Sequence, residues 1–126
     1  LMDREPFESE QQDVLTRNQI SALPFYGLAR GFLSGKYRKG VKVESVRSEG
    51  VKEFETDRGY AVVDALTEIA RAHHSSPSAI ALAWIRSNPA VSTPIASART
   101  VDQLSEIVEV VHLSDVEVKM LNRASA

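Results

Sequence analysis

The stretch Ala22-Leu-Pro-Phe-Tyr-Gly-Leu-Ala-Arg-Gly-Phe-Leu-Ser-Gly-Lys-Tyr37 is the part of the sequence that most directly indicates the fold. It begins as an apolar run and ends as a loop that contains several glycines together with Arg30 and Lys36. A second unit of this kind is Val91-Ser-Thr-Pro-Ile-Ala-Ser-Ala98, followed by Arg99 and the start of a helix. In βα architectures, a buried strand that opens into a small-residue turn, a cation and a helix N-terminus binds phosphate. Two such strand ends side by side predict a nucleotide cofactor.

Composition and charge narrow the class of protein. The 126 residues suit one small domain, and 43% hydrophobic with 25% charged residues is ordinary for a soluble globular protein. A net charge of -2 gives no field that favours nucleic acid or an anionic membrane. The absence of cysteine excludes disulfides and thiolate metal sites. No apolar run reaches the roughly 18 residues of a membrane span and no signal peptide opens the chain, so we expect a cytoplasmic protein.

Hydrophobic periodicity and cap signals predict an alternation of helices and strands. The predicted elements are a helix at Phe7–Asn18, a strand at Ile20–Leu28, a long loop at Ala29–Thr56, a helix at Asp57–His74, a helix from Pro77 to about Ser87, a strand at Val91–Ala96, a helix from Thr100 and a last helix from Ser114 to about Ala124. Strands separated by helices predict parallel pairing and an α/β fold. Two strands cannot cover their own edges. We therefore expect either a fragment of a longer protein or a chain that pairs with its own copy.

Several local patterns make these expectations specific. Ser76-Pro77 is a helix start, with serine as cap and proline at the first helical position. Thr100-Val-Asp-Gln103 and Ser114-Asp-Val-Glu117 each have the spacing of a capping box. In the first helix we expect Val14 and Leu15 to face inward. The expected buried faces of the later helices are formed by Val62, Val63, Leu66, Ile69 and Ala70, and by Leu104, Ile107, Val108 and Val111.

Three blocks of the sequence resemble the C-terminal part of an aldo-keto reductase. They are Leu28-Ala-Arg-Gly-Phe-Leu-Ser-Gly-Lys-Tyr37, Ala79-Ile-Ala-Leu-Ala-Trp-Ile-Arg-Ser-Asn-Pro89 and Pro94-Ile-Ala-Ser-Ala-Arg-Thr-Val-Asp-Gln-Leu-Ser-Glu106. The likeness covers essentially the whole chain and is strongest to the bacterial branch that also resembles potassium-channel β-subunits. It implies that residues 1–126 form a single partial domain, the C-terminal portion of a (β/α)8 TIM barrel. That portion would hold the end of strand six, strands seven and eight with their helices, the C-terminal helix and a flexible cofactor loop at about 29–56.

The resemblance also implies an activity. Members of the family reduce aldehydes and ketones with NADPH, so the expected function is an NADP(H)-dependent oxidoreductase that transfers hydride to a small-molecule carbonyl substrate. The family's catalytic Asp, Tyr, Lys and His lie on earlier strands, and none of them maps onto this sequence. We therefore expect no catalytic residue in this chain and no turnover by this chain alone. The chain would supply the cofactor-binding half of the enzyme. Either the missing N-terminal half of the barrel or a homo-oligomer would complete it.

The resemblance assigns the first group of cofactor residues to the turn after the first strand. The backbone of this turn would run beside the cofactor pyrophosphate, since glycine allows close approach of the backbone. The turn residues are Gly27, Leu28, Ala29 and Arg30. The family often has Ser-Pro-Leu at this point, whereas this chain has Tyr26-Gly-Leu. A serine hydroxyl contact is therefore lost, and Tyr26 faces either the cofactor or the core.

The remaining candidates lie in the long loop and after the second strand. Lys36 is the expected phosphate cation, and Arg47 would clamp the cofactor. Ser97 stands where the family has glycine. Arg99, beside the helix N-terminus, forms a dianion pocket that suits the 2′-phosphate of NADP. Two further residues, Gln103 and Glu106, share a helix face and would meet the adenosine end, with Ile107 in place of the family's asparagine.

Other readings of the same sequence remain open. The chain could belong to a non-catalytic NADP-binding regulatory or interaction module, as the likeness to channel β-subunits permits. It could also be a partial-barrel scaffold that dimerises to cover its strand edges. We expect His73 and His74 to be helix C-terminal cations rather than acid-base groups or metal ligands. Trp84 is expected in the core.

Overall fold

The computed structural model describes residues 1–41, 43 and 48–126, and this part of the chain is mainly helical. The elements are a π-helical turn at Phe7–Gln11, α1 (Gln12–Arg17), a 3₁₀ segment at Ala29–Ser34, α2 (Ser48–Val51), a 3₁₀ turn at Lys52–Phe54, α3 (Asp57–Ala72), α4 (Pro77–Arg86), α5 (Val101–Val108) and α6 (Asp115–Ala124). Within the described ranges, every helix is too short or too polar to cross a bilayer.

Two of the predicted helix starts are confirmed in atomic detail. The Ser76 hydroxyl accepts a hydrogen bond from the Ala79 N–H at 3.1 Å, with Pro77 at the first position of α4. At α6 the Ser114 hydroxyl accepts from the Glu117 N–H, and the Glu117 carboxylate accepts from the Ser114 N–H at 2.8 Å. Both signals are local, because a cap satisfies backbone donors within one turn and needs no distant partner.

The two predicted strands are reduced to a short parallel contact. Residues 20–28 and 91–96 are joined by one isolated bridge between Ala22 and Val91. Around it, the Ser92 N–H donates to the Ala22 carbonyl at 3.0 Å and the Ile95 N–H donates to the Pro24 carbonyl at 2.7 Å. Pro24 therefore contributes only its acceptor, and its missing N–H costs no bond here. The parallel direction was predicted correctly. The prediction of regular strands was wrong, because among the described residues each segment pairs only with the other.

The apolar run of the first predicted strand is largely exposed in this chain. Ile20 and Leu23 are each 55% exposed and Phe25 is 76% exposed. In α1, Val14 is exposed rather than inward, and the predicted stripe of α5 leaves Leu104 and Val108 exposed as well. These apolar side chains have no second layer of structure within the described residues to pack against.

The core lies where α3 packs against α4, α6 and the 3₁₀ segment at Ala29–Ser34. The predicted face of α3 is confirmed, with Val62, Val63, Leu66, Ile69 and Ala70 all buried. The predicted loop at 29–56 differs from the structure, because its described part has helical turns and buries Phe32, Leu33, Tyr37 and Val51. These residues lack a helical or strand period, so their burial could not be predicted from the pattern.

Trp84 lies at the edge of this core rather than inside it. Its side chain is half-buried, and its Nε1–H donates to the Asn122 Oδ1 at 2.9 Å. The guanidinium of Arg4 lies 5.2 Å from the centre of the indole ring and also donates to Asn122. The indole therefore ties α4 to α6 and to the N-terminal segment, since a large ring with one polar edge suits a partly wet boundary.

Candidate functional site

One cavity of about 710 Å³ opens where the turn after residues 20–28 meets the segment that leads into α5. Eight of the residues predicted to bind cofactor line this cavity: Tyr26, Leu28, Arg30, Lys36, Ser97, Arg99, Gln103 and Glu106. They come from two separate strand-end segments, which the parallel bridge between Ala22 and Val91 brings side by side. The two units that the sequence analysis singled out therefore share one cavity.

Two predicted residues, Gly27 and Ala29, do not line this cavity. A Cβ atom on Gly27 would lie 2.6 Å from the Cδ1 atom of Ile85, so the missing side chain at this position allows the turn to pack closely on α4. The side chain of Ala29 is only 3% exposed and belongs to the core. Arg47 lies outside the described residues. The first two positions thus have a packing role that the sequence analysis did not assign to them.

Arg30 connects the turn to α2 and to the 3₁₀ turn that follows it. Its Nε–H donates to the Tyr26 hydroxyl oxygen, and an Nη1–H donates to the Gly50 carbonyl at 3.2 Å. The Glu53 carboxylate lies 3.8 Å from the same nitrogen, and the Tyr26 ring centre lies 5.5 Å from the guanidinium carbon. The hydrogen bond with Tyr26, together with the charge of Glu53, raises the pKa of Arg30 above its already high ordinary value.

The backbone at this turn is left-handed over three consecutive residues. The φ angles are 46° at Ala29, 57° at Arg30 and 91° at Gly31, and only the last residue is glycine. A left-handed residue with a Cβ costs about 1–2 kcal/mol. The conformation is retained because the Ala29 side chain is packed in the core and the Arg30 side chain is held at several points. Gly35, at φ 84°, ends the segment and packs against Pro77 at the start of α4.

Lys36 and Arg99 both line the cavity and bring positive charge to it. The Lys36 ammonium lies 5.1 Å from the centre of the Tyr37 ring, and the buried ring fixes the base of this side chain. Both cations are exposed, and among the described residues neither side chain forms an ion pair with a carboxylate. With Arg30, the described residues that line the cavity include three cations and one carboxylate, that of Glu106. The excess of positive charge suits an anionic ligand with several phosphate oxygens.

The start of α5 departs from the predicted capping box. The Thr100 hydroxyl accepts from the Gln103 N–H at 3.2 Å, which is the expected first half. The Gln103 side-chain oxygen accepts from the Arg99 N–H at 3.0 Å, not from the Thr100 N–H. The amide of Gln103 thereby fixes the backbone of Arg99 at the cavity, so the capping role and the placing of the cation are served by one side chain.

Several cavity residues were not predicted from the sequence. These are Phe25, Gly31, Ser34, Gly50, Ser78, Ile95 and Ala96, together with Ile107, which was noted only as a departure from the family pattern. Gly50 is remote in sequence and carries no motif that would reveal it. Ser78 follows the recognised helix start Ser76-Pro77 by one residue, so its place in the first turn of α4 was the available signal.

The paired histidines lie away from this cavity. The His73 Nε2 is 2.6 Å from the Glu117 Oε1, which links the end of α3 to the start of α6, and His74 is exposed. Burial alone would raise the pKa of Glu117, but hydrogen bonds from Ser114 and His73 outweigh it and lower the pKa below its usual value. Among the residues that the structure describes, no three potential ligands have a metal-binding arrangement.

Comparisons with known proteins agree with the resemblance seen in the sequence. A family model described as "Aldo/keto reductase family" matches residues 2–126. "Protein tas" of Escherichia coli (strain K12) is 33% identical over 110 residues, which is 85% of this chain and 32% of that protein. A "Putative voltage-gated potassium channel subunit beta" of Schizosaccharomyces pombe is 30% identical over 124 residues, which is 90% of this chain and 35% of that protein.

The fold is also similar to that of a solved structure. A glycerol dehydrogenase from Gluconobacter oxydans superposes with a TM-score of 0.75 and 21% identity, over 94% of this chain and 38% of that one. The chain spans about one third of the length of the curated relatives that it matches. These similarities therefore concern only the part of each relative that this chain covers.

Proposed function

Because the chain belongs to the aldo/keto reductase family, we propose that it forms the C-terminal portion of the family's (β/α)8 barrel and holds the NADP(H) of an oxidoreductase. The complete protein would reduce the carbonyl of an aldehyde or ketone, and the bound cofactor would supply the hydride. The proton donor would come from a part of the protein that precedes this chain. The 126 residues alone would bind cofactor without turnover.

The observation that carries this proposal is the cavity shared by Lys36 and Arg99. These cations belong to two different strand-end segments, and one cavity is lined by both. A dinucleotide that carries three phosphate groups matches a cavity with spaced cations better than a neutral metabolite does. The guanidinium of Arg99 and the N-terminus of α5 would receive the 2′-phosphate, because the helix end adds partial positive charge there.

The other cavity residues take roles that follow from their chemistry. Lys36 would neutralise the pyrophosphate, since a flexible ammonium can serve several oxygens. Ser97 is small enough to let the ligand approach the backbone. Gln103 and Glu106 would face the adenosine end, where the amide hydrogens of Gln103 remain as donors after its oxygen has bound Arg99. This chain would thus orient the cofactor and neutralise its charge.

Titration with NADPH and NADH tests the proposal. Arg99→Ala should weaken NADPH about 10- to 100-fold and leave NADH nearly unchanged, because a lost charge-assisted hydrogen bond affects only the ligand with the 2′-phosphate. The matched control is Arg71→Ala, which removes an exposed arginine of α3 outside the cavity. Equal loss of both cofactors in Arg99→Ala, or no binding by the unaltered full-length protein, would contradict the proposal.

A second function, a non-catalytic NADP-binding regulatory or interaction module, is favoured by one comparison. The Schizosaccharomyces pombe relative is named as a channel β-subunit and is 30% identical over 124 residues. Both functions use the same cofactor cavity and differ in the part of the protein that carries the proton donor. Reduction of a panel of aldehydes and ketones by the full-length protein with NADPH separates them. Tight NADPH binding without oxidation of the cofactor would favour the module.

We also propose what covers the exposed apolar side chains at residues 20–25 and 95. The remaining strands of the barrel would pack there in the full-length protein, and the alternative is a second copy of the chain. Sedimentation over a range of concentrations distinguishes them, since only self-association depends on concentration. A cytoplasmic location stays a prediction, which fractionation of cells would test.

A further inference from the structure

We propose that Ser78, in the first turn of α4, binds a phosphate group together with the N-terminus of α4 and Lys36. We call these three groups the α4 subsite. The phosphate would belong to the pyrophosphate of a dinucleotide, which is distinct from the 2′-phosphate proposed for Arg99. The identity of this ligand rests on the proposed function, whereas the subsite itself does not.

Ser78 differs from the two other described serines that line the cavity. The Ser34 hydroxyl donates to the Gly31 carbonyl at 2.7 Å, and Ser97 is exposed, so water can satisfy its hydroxyl. Ser78 is only 3% exposed, and among the described residues neither its hydroxyl nor its backbone N–H has a hydrogen-bond partner. Unpaired donors in a buried residue are unfavourable, and a ligand in the cavity would satisfy them.

The cap of α4 explains which donor of the first turn is left over. The Ala79 N–H donates to the Ser76 hydroxyl and the Ile80 N–H donates to the Ser76 carbonyl, each at 3.1 Å. Pro77 has no N–H to donate. The Ser78 N–H therefore remains, beside the hydroxyl of the same residue. The helix has ten residues, and its dipole adds partial positive charge at this end, which favours an anion.

Close packing brings Lys36 to the same end of α4. A Cβ atom on Gly35 would lie 2.7 Å from the Cγ atom of Pro77, so the glycine backbone lies directly against the helix start. Lys36 and Ser78 each follow this contact by one residue, and both line the cavity. The flexible ammonium of Lys36 supplies charge with little directional demand, whereas the hydroxyl and N–H of Ser78 supply directed donors. The two kinds of group suit one phosphate with several oxygens.

Position 26 gives an independent reason for a serine donor on α4. The family often has serine at this position, whereas this chain has Tyr26, whose hydroxyl accepts a hydrogen bond from Arg30. Tyr26 and Ser78 line the same cavity, one from the turn after residues 20–28 and the other from α4. Ser78 would thus supply from the helix the serine hydroxyl that the turn of this chain lacks.

Binding titrations of the full-length protein with NADPH, NADH and adenosine 2′-monophosphate test the subsite. Ser78→Ala should weaken NADPH and NADH equally, about tenfold each, because both carry the pyrophosphate. Adenosine 2′-monophosphate lacks that group, so its affinity should stay within about twofold. Alanine favours helices, so the variant should keep its melting temperature. The control, Ser105→Ala, removes an exposed hydroxyl of α5 outside the cavity and should change none of the three affinities.

Each other pattern over the three ligands overturns the subsite. Loss of NADPH affinity alone would mean that Ser78 meets the 2′-phosphate, equal loss of all three would mean that the substitution distorts the cavity, and no loss would mean that Ser78 makes no contact. Salt dependence gives a further test, since Lys36→Ala should flatten that of NADPH binding and the neutral change Ser78→Ala should leave it unaltered. A flatter dependence in Ser78→Ala would mean that Ser78 acts only through Lys36, which overturns its role as a ligand.

Inorganic pyrophosphate is the probe that separates this inference from the proposed function. The unaltered full-length protein should bind it, and Ser78→Ala should weaken its binding about tenfold. If NADPH does not bind but pyrophosphate binding depends on Ser78, the proposed function is refuted and the α4 subsite stands. If NADPH binds and Ser78→Ala affects neither ligand, the subsite is overturned and the proposed function stands.

Discussion

Two regions of this molecule have equally apolar sequences but differ in burial. The core side consists of α3, α4, α6 and residues 29–37, and Phe32 on this side has no exposed surface. The strand-end side consists of residues 20–26, residues 91–98 and α5, and Phe25 on this side is 76% exposed. These two phenylalanines are only seven positions apart in the sequence. Burial therefore depends on whether a second layer of structure is present, since an apolar side chain leaves water only against a partner.

The two regions also differ in what holds them together. On the core side the Phe32 ring centre lies 5.5 Å from that of Tyr37, 5.9 Å from that of Phe54 and 6.1 Å from that of Tyr60. On the strand-end side the connection between the two segments is a few backbone hydrogen bonds around Ala22 and Pro24. Packed aromatic rings gain free energy from burial, whereas exposed backbone bonds exchange readily with water.

The largest expected effect comes from removing one phenylalanine on each side. Phe32→Ala should lower the free energy of unfolding by about 3–5 kcal/mol, since it leaves a cavity among three other rings. Phe25→Ala should change it by no more than about 0.5 kcal/mol, because the ring is already in water. Urea unfolding of both variants of the 126-residue chain measures the difference. Similar losses in the two variants would mean that the two sides are packed alike.

A smaller effect is expected from adding one methyl group to each side. A Cβ atom on Gly59 would lie 1.9 Å from the Phe54 carbonyl oxygen, so Gly59→Ala should cost about 1–3 kcal/mol although alanine favours helices. Ser92→Thr adds a methyl at an exposed position of the strand-end side and should stay within about 0.5 kcal/mol of the unaltered chain. Thermal unfolding measures both variants. A stabilising Gly59→Ala would show that the core side has room to adjust.

The smallest expected effect concerns a polar contact of the core side and depends on pH. The folded pKa of Glu117 lies below its ordinary value of 4.5, so the stabilisation from its carboxylate is present above that value and is lost as the pH falls through the folded pKa. Glu117→Gln should therefore cost about 1 kcal/mol at neutral pH and progressively less in acid. Unfolding at a series of pH values measures this.

The control for that series is Glu68→Gln, which changes an exposed glutamate of α3. This variant should parallel the unaltered chain at every pH. A cost of Glu117→Gln that stays constant with pH would contradict the role of the carboxylate bonds to Ser114 and His73.

Local signals in the sequence predicted two of the helix starts, and the family resemblance pointed to eight of the residues that line the cavity. Ser76 and Ser114 cap their helices as predicted, since a cap involves only residues three positions apart. The cavity residues Lys36 and Arg99 were found because each follows a recognisable strand-end pattern. Within the predicted loop at 29–56, the burial of Phe32, Tyr37 and Val51 was not predicted, because these residues follow no repeating period. Gly50 was missed for the same reason.

The sequence by itself determined where helices begin, the parallel direction of the two strand-end segments and the chemical nature of the phosphate-binding candidates. These properties depend on the backbone preferences and charges of residues that are close neighbours in the chain. Only the tertiary structure decided that Gly27 and Ala29 serve packing, that Gln103 fixes the backbone of Arg99, and that Arg30 reaches Gly50. Each of these contacts joins residues whose distance is set by the packing of α3, α4 and the 3₁₀ segment, and a one-dimensional pattern does not contain that distance.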